Sequence, residues 1–308
     1  MFWVILAGIG ACTNAAYYIA NKKFLQVMDP NILAATGFIF TSAILLGISF
    51  FQGVPSIGPQ FLLAVLVTTF LNILATTLTF RALASTDISL AIPMLSFTPL
   101  FLVGTAALIL HEMPSLIGMA GIVIIVAGSY ILNTADEHER ITDPFRAMIS
   151  HPGVLSMLVV AFLYAIAINF DKMVMQNSDT VFGSGIVFLL LGIAFVIIFM
   201  ISHLRSNESF HQPVSPAISI LPKNRSLFRW QDVINAGLFI GIVITIEAVV
   251  INTAYSQQIV PYVIAIKRMS IILIVVYGAF VFREKDVIRR LSGAGLMLFG
   301  AVLILLFP

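Results

Sequence analysis

The chain has 308 residues, of which 60% are hydrophobic and only 10% charged, where soluble domains carry roughly 25% charge. A soluble core cannot hide this much apolar surface, so a lipid bilayer is an expected partner. The net charge of +2 and the absence of a basic, aromatic-laced patch give no footing for nucleic acid. The single cysteine, Cys12, rules out an intrachain disulfide or a CxxC metal site.

Ten uncharged apolar windows read as helices, at residues 2–20, 31–51, 60–80, 88–110, 115–133, 153–174, 181–201, 233–253, 260–282 and 287–307. The first lacks a small-residue cleavage motif and is expected to be a retained span. It carries Asn14, Tyr17, Tyr18 and Asn21 at i, i+3, i+4 and i+7, which is one polar face. Such a face suits a pocket for a small polar molecule. It suits hydrogen bonding between packed helices equally well. From Pro30 to Phe80 no side chain is charged, which leaves room for two spans of about 20 residues each. The third window again aligns polar groups: Thr69, Asn72, Thr76 and Thr79. Threonine tends to bond its own helix backbone, so Asn72 is the stronger candidate for lining a cavity.

Pro93 and Pro99 remove backbone donors from the fourth window and are expected to kink it. Ser96, between them, can satisfy a freed carbonyl. Glu112 precedes Met113-Pro114 at the next helix start, where a carboxylate caps free N–H groups. Residues 136–152 are a charged linker between two five-helix halves, 1–135 and 153–308. The sixth window offers Tyr164 and Asn169, with Asp171-Lys172 expected at the membrane edge. Residues 202–231, with Pro213, Pro216 and Pro222, read as a polar surface loop.

The ninth window breaks the apolar rule, since Lys267 and Arg268 lie inside it. A cation in hydrocarbon costs about 2.5–3.5 kcal/mol on insertion scales. The preceding window supplies one acid, Glu247. At 1.5 Å per residue, Glu247 and Lys267 lie about 10 Å from the same membrane edge, so contact of Glu247 with Lys267 or Arg268, direct or through water, is expected. Adjacent residues on a helix point about 100° apart, so Lys267 and Arg268 are not expected to face the cavity alike. Tyr262, one turn earlier, is expected to line the same space. The candidate substrate-binding set is therefore Glu247, Lys267, Arg268, Asn14, Tyr17, Tyr18, Asn72 and Tyr262. A structural ion pair that fixes helix register remains the alternative for the charged residues.

The halves look like repeats. Leu83–Glu112 matches Tyr255–Glu284 at an offset of 172, and Gly121 and Gly128 then meet Gly293 and Gly300. An odd number of helices per repeat inserts the second copy upside down, a plan common among secondary transporters. Arg81-Ala82-Leu83, Pro93, Pro99, Glu112, Gly118, Gly121 and Gly128 give the first half a resemblance to the EamA domain of the drug/metabolite transporter superfamily. The second copy keeps Glu284, Gly293, Gly295 and Gly300, but has Lys267-Arg268 where the first has Leu95-Ser96. The resemblance implies an all-α membrane protein with ten transmembrane helices in two inverted five-helix repeats. It implies alternating access, and export or exchange of small metabolites across the plasma (inner) membrane.

The mixed charges suit an amino-acid-like or anionic substrate, and Glu247 is a candidate carrier for a coupling proton. No catalytic motif, metal cluster or cofactor fingerprint is present in the sequence. His138, His151, His203 and His211 fall in predicted loops. A membrane-embedded enzyme or sensor subunit without transport is the alternative reading. Loops after odd-numbered helices hold Lys22, Lys23, Arg81, Arg140, Arg146, Arg205, Lys223, Arg225, Arg229, Arg283, Lys285, Arg289 and Arg290. Opposite them stands Lys172 alone. Cytoplasmic loops collect Lys and Arg, so both ends of the chain are expected outside the cytoplasm, although the resembled family usually has both inside.

Overall fold

The computed structural model describes residues 2–86, 91–133, 152–208, 230–282 and 287–307. Their regular structure is all helical, with no strand among the described residues. The first half comprises α1 (Phe2–Phe24), α2 (Pro30–Gln52), α3 (Phe61–Ser85), α4 (Thr98–Ile109) and α5 (Leu116–Asn133). The second comprises α6 (Pro152–Gln176), α7 (Thr180–Glu208), α8 (Trp230–Tyr255), a broken α9 and α10 (Val287–Leu306). The two parts of the broken helix are α9a (Val260–Lys267) and α9b (Ser270–Phe282). Among the described residues, eight spans are long and apolar enough to cross a membrane, the fourth taken as Ile92–Ile109 and the ninth as Val260–Tyr277, while the apolar parts of α5 and α10 are shorter.

Local chemistry sets several helix ends. Asp29 caps α2, its carboxylate accepting from the N–H groups of Asn31 (2.8 Å) and Ile32 (3.3 Å), and Pro30 fills the first turn. Asp179 does the same for α7 through Val181 (2.8 Å) and Phe182 (2.6 Å). The predicted loop at 202–231 is shorter than expected: α7 runs to Glu208 and α8 starts at Trp230. Hydrophobicity falls off before the helix does, because solvated polar side chains are tolerated in a terminal turn. His203 is therefore helical and stacks on Phe199. The linker 136–151, residues 209–229 and Glu284 lie outside the described residues, and with them His138, His151 and His211.

The fourth window is not one kinked α-helix. Ile92–Phe97 forms a 3-10 helix that runs into α4, with Pro93 and Pro99 each in a first turn. Ser96 Oγ donates to Pro93 O at 2.6 Å. A tightened turn lets Pro sit where its missing donor is not needed.

Packing is close wherever glycine permits it. A Cβ on Gly121 would lie 2.8 Å from Gly300 O, one on Gly300 would lie 2.6 Å from Gly121 O, and one on Gly128 would lie 2.7 Å from Gly293 O. The backbones of α5 and α10 thus touch, as small residues allow in membrane helix pairs. The outer surface is apolar: Phe50, Phe51, Leu62, Phe70, Leu108 and Leu116 are all exposed. Asn14, Asn21, Asn169 and Arg268 are buried. This inside-out distribution is what a hydrocarbon solvent selects.

Candidate functional site

A cavity of about 180 Å³ lies between the halves, walled by α1, α2, α3, α6, α7, α8 and α9a. Drug-sized ligands occupy roughly 300–1,000 Å³, so this space suits a small solute. From the expected set, Asn14, Tyr17, Tyr18, Asn72, Glu247, Lys267 and Arg268 all line it. Tyr262 does not. It is buried, and its hydroxyl accepts from Ser115 N at 2.8 Å while pressing on Gly118. Its side chain fills the contact between α9a and the start of α5, the space Gly118 leaves open.

One wall is an ion pair. Lys267 Nζ stands 2.5 Å from Glu247 Oε1. Asn14 Nδ2 donates to the same carboxylate oxygen at 3.1 Å, and Ser270 Oγ donates to Asn14 Oδ1 at 3.0 Å. The match in depth across the short α8–α9a connection thus brings α1, α8 and α9 together at one point.

Arg268 behaves differently, although it also lines the cavity. It is 3% exposed, and its Nη2 donates to Thr98 Oγ1 at 2.9 Å. Its buried Nε has no partner, and the two ion pairs among the described residues do not include it. The expectation that only one of the two cations faces the cavity fails because α9 does not continue as an α-helix here. Met269 N bonds Ile266 O (2.9 Å) and Ile271 N bonds Arg268 O (3.0 Å), three residues apart. Tightening of this kind changes the angle between successive side chains.

Sequence reasoning put Asp171 and Lys172 at the membrane edge. Asp171 also lines the cavity, a role that placement did not give it, and accepts from Thr68 Oγ1 at 2.5 Å. Asn72 Nδ2 donates in turn to that threonine oxygen at 3.0 Å. Tyr164, Ile168 and Asp171 share the lining at i, i+4 and i+7, a helical spacing that was open to reading. Lys172 points the other way. Its Nζ is 2.5 Å from Glu112 Oε1, and Glu112 Oε2 accepts from Val260 N at 2.9 Å. Glu112 therefore does cap a helix start, but that of α9a rather than its own. His111, with φ of 56°, ends α4 and turns the chain at this corner. Asn252 and Ser184, bonded at 2.7 Å, are further lining residues that the sequence reading passed over.

Residues 1–134 match the model of the EamA-like transporter family, consistent with the drug/metabolite transporter superfamily. No curated protein matches the chain. Among solved structures, one titled "Crystal structure of protein" aligns over 99% of this chain and 97% of its own, with a TM-score of 0.72. Its sequence identity is 15%, so the likeness is one of fold.

Proposed function

We propose that this chain is a secondary transporter that carries a small anionic or zwitterionic metabolite across the plasma (inner) membrane by alternating access. The family match over the first half supports transport. The observation that carries the reading is Arg268: a buried guanidinium in a small polar cavity, with an orphaned Nε and no acid in ion-pair contact. A buried cation without a direct ion-pair partner is costly. A carboxylate or similar anion entering the cavity would supply one, and guanidinium presents donors in a fork that fits it. Asn14, Tyr17, Tyr18 and Asn72 would complete the binding set, with the Glu247–Lys267 pair as its polar wall.

The two-repeat plan finds support in the packing. α2 packs on α7 and α5 on α10, while α3/α6 and α8/α1 exchange when the halves are exchanged. The contacts Gly121–Gly300 and Gly128–Gly293 also exchange at the offset of 172, and they run antiparallel. A two-fold axis relating antiparallel helices lies across them, which is the geometry of inverted repeats. The break in α9 and the 3-10 segment before α4 fall at equivalent positions under the same offset. Such paired discontinuities are where transporters of this plan bind substrate.

The test is flux. Purified protein in proteoliposomes, assayed against a panel of labelled metabolites, should accumulate or exchange at least one. Arg268→Met should abolish that flux while the protein still assembles. A membrane enzyme or sensor would give no flux for any member of the panel.

A further inference from the structure

Three acidic side chains lie in the described interior, and two are already spoken for. Glu112 is held by Lys172 and by Val260 N–H, and Glu247 by Lys267 and Asn14. The third, Asp171, lines the cavity and accepts one hydroxyl hydrogen bond, from Thr68, with no cation in ion-pair contact. We propose that Asp171, rather than Glu247, binds a coupling proton, which enters the cavity together with an anionic substrate held at Arg268. This rests on the transporter reading above and deepens it.

The argument is charge balance. Glu247 and Lys267 cancel at 2.5 Å. Asp171 and Arg268 share the cavity as one negative and one positive charge, so the empty site has no net formal charge. Closing a charged site inside hydrocarbon is expensive. An anion bound at Arg268 leaves the site at minus one. A proton on the Asp171 carboxylate restores neutrality: the O–H bond forms on entry, breaks on release, and nothing else changes. Protonating Glu247 would reach the same net charge, but only by breaking its ion pair with Lys267, whereas Asp171 has no ion-pair partner to give up.

The surroundings leave few rivals. From α3, Asp171 meets Thr68, and Asn72 stands behind it. The α7 wall contributes Ser184, which does not titrate in this range, and α4 and the 3-10 segment contribute no titratable group to the cavity. α1 contributes Tyr17 and Tyr18, α6 Tyr164, and α8 Tyr255 with Glu247. Lys267 and Arg268 come from α9. Phenols stay protonated where carboxyls titrate, so the exchangeable protons belong to the two acids.

Infrared difference spectroscopy of the full-length protein in lipid vesicles reads protonated carboxyl groups directly. A carboxyl C=O band should appear as pH falls, vanish in Asp171→Asn and persist in Glu247→Gln. Thr68→Val should shift its frequency, which keeps the test usable if the aspartate variant does not assemble. At fixed pH, the permanent anion methanesulfonate should raise the proton affinity read from this band by about fivefold, the low end of ordinary coupling between sites. Arg268→Met should erase that effect. Taurine, which brings its own ammonium group, should not raise the band. Loss of the band in Glu247→Gln with retention in Asp171→Asn would overturn the proposal. So would a band indifferent to methanesulfonate, or one raised equally by taurine. Failure of the metabolite panel to show any flux would instead count against transport and leave the band assignment standing.

Discussion

Glu247 Oε1 accepts from both Lys267 and Asn14, so each neighbour removed leaves a defined deficit. Lys267→Met strands a carboxylate that retains only an amide donor. Breaking one side of a buried pair typically costs about 3–5 kcal/mol. Thermal unfolding in detergent should show that loss, and the double variant Glu247→Gln/Lys267→Met should regain most of the stability. Transport should not return with it, because the polar wall is gone. Arg268→Met should do the reverse: little loss of stability, since no ion-pair partner is stranded, and complete loss of flux. Tyr262 separates packing from binding. Tyr262→Phe deletes the hydrogen bond to Ser115 and should cost about 1 kcal/mol, with flux unchanged.

At the scale of helices, the corner after α4 does more than its sequence pattern announces. Glu112 ties three elements together: its own connection, Lys172 on α6 and the first turn of α9a. Glu112→Ala should leave Lys172 buried without a partner and Val260 N–H uncapped, destabilising the protein by about 3–5 kcal/mol. Glu112→Gln can still accept from Val260 N–H, so it should fall between the two in unfolding temperature. The capping function was legible, because a carboxylate before Met113-Pro114 has few other structural uses. The helix it caps was not, because Val260 lies far along the chain and only tertiary packing brings it there. The same divide runs through the cavity. Asn14, Tyr17, Tyr18 and Asn72 could be read because helical periodicity puts polar groups on one face. Asp171 was not read as a lining residue because its apolar run ends at Phe170, which resembles a membrane boundary. Tyr262 was misassigned because its face depends on the contact at Gly118. That Glu247 pairs with one of the two adjacent cations was legible from depth, but not which one, and the turn that also aims Arg268 inward has no proline or glycine to announce it.

For the whole molecule, the open question is which way it lies in the membrane. Lys and Arg gather in the loops after odd-numbered helices, with Lys172 alone on the other side. The structure sharpens that asymmetry, since Lys172 is buried against Glu112 and contributes no free positive charge to its surface. Among the described loop cations, Lys22 is partly withdrawn too, donating to Leu83 O (2.6 Å) and Thr86 O (2.8 Å). The remaining bias is still one-sided. Apolar spans have no orientation preference of their own, so loop charge has to set it. We therefore expect both ends of the chain outside the cytoplasm. In a Cys12→Ser background, which removes the sole native thiol, single cysteines at Phe2, Pro55, Ser85 and Phe307 report the sides. An impermeant maleimide applied to intact cells should label the variants at Phe2, Pro55 and Phe307 and spare Ser85→Cys until the membrane is opened. Labelling of Ser85→Cys alone would reverse the orientation. Labelling of all four in a single preparation would mean dual insertion, the outcome expected if the bias were too weak to choose.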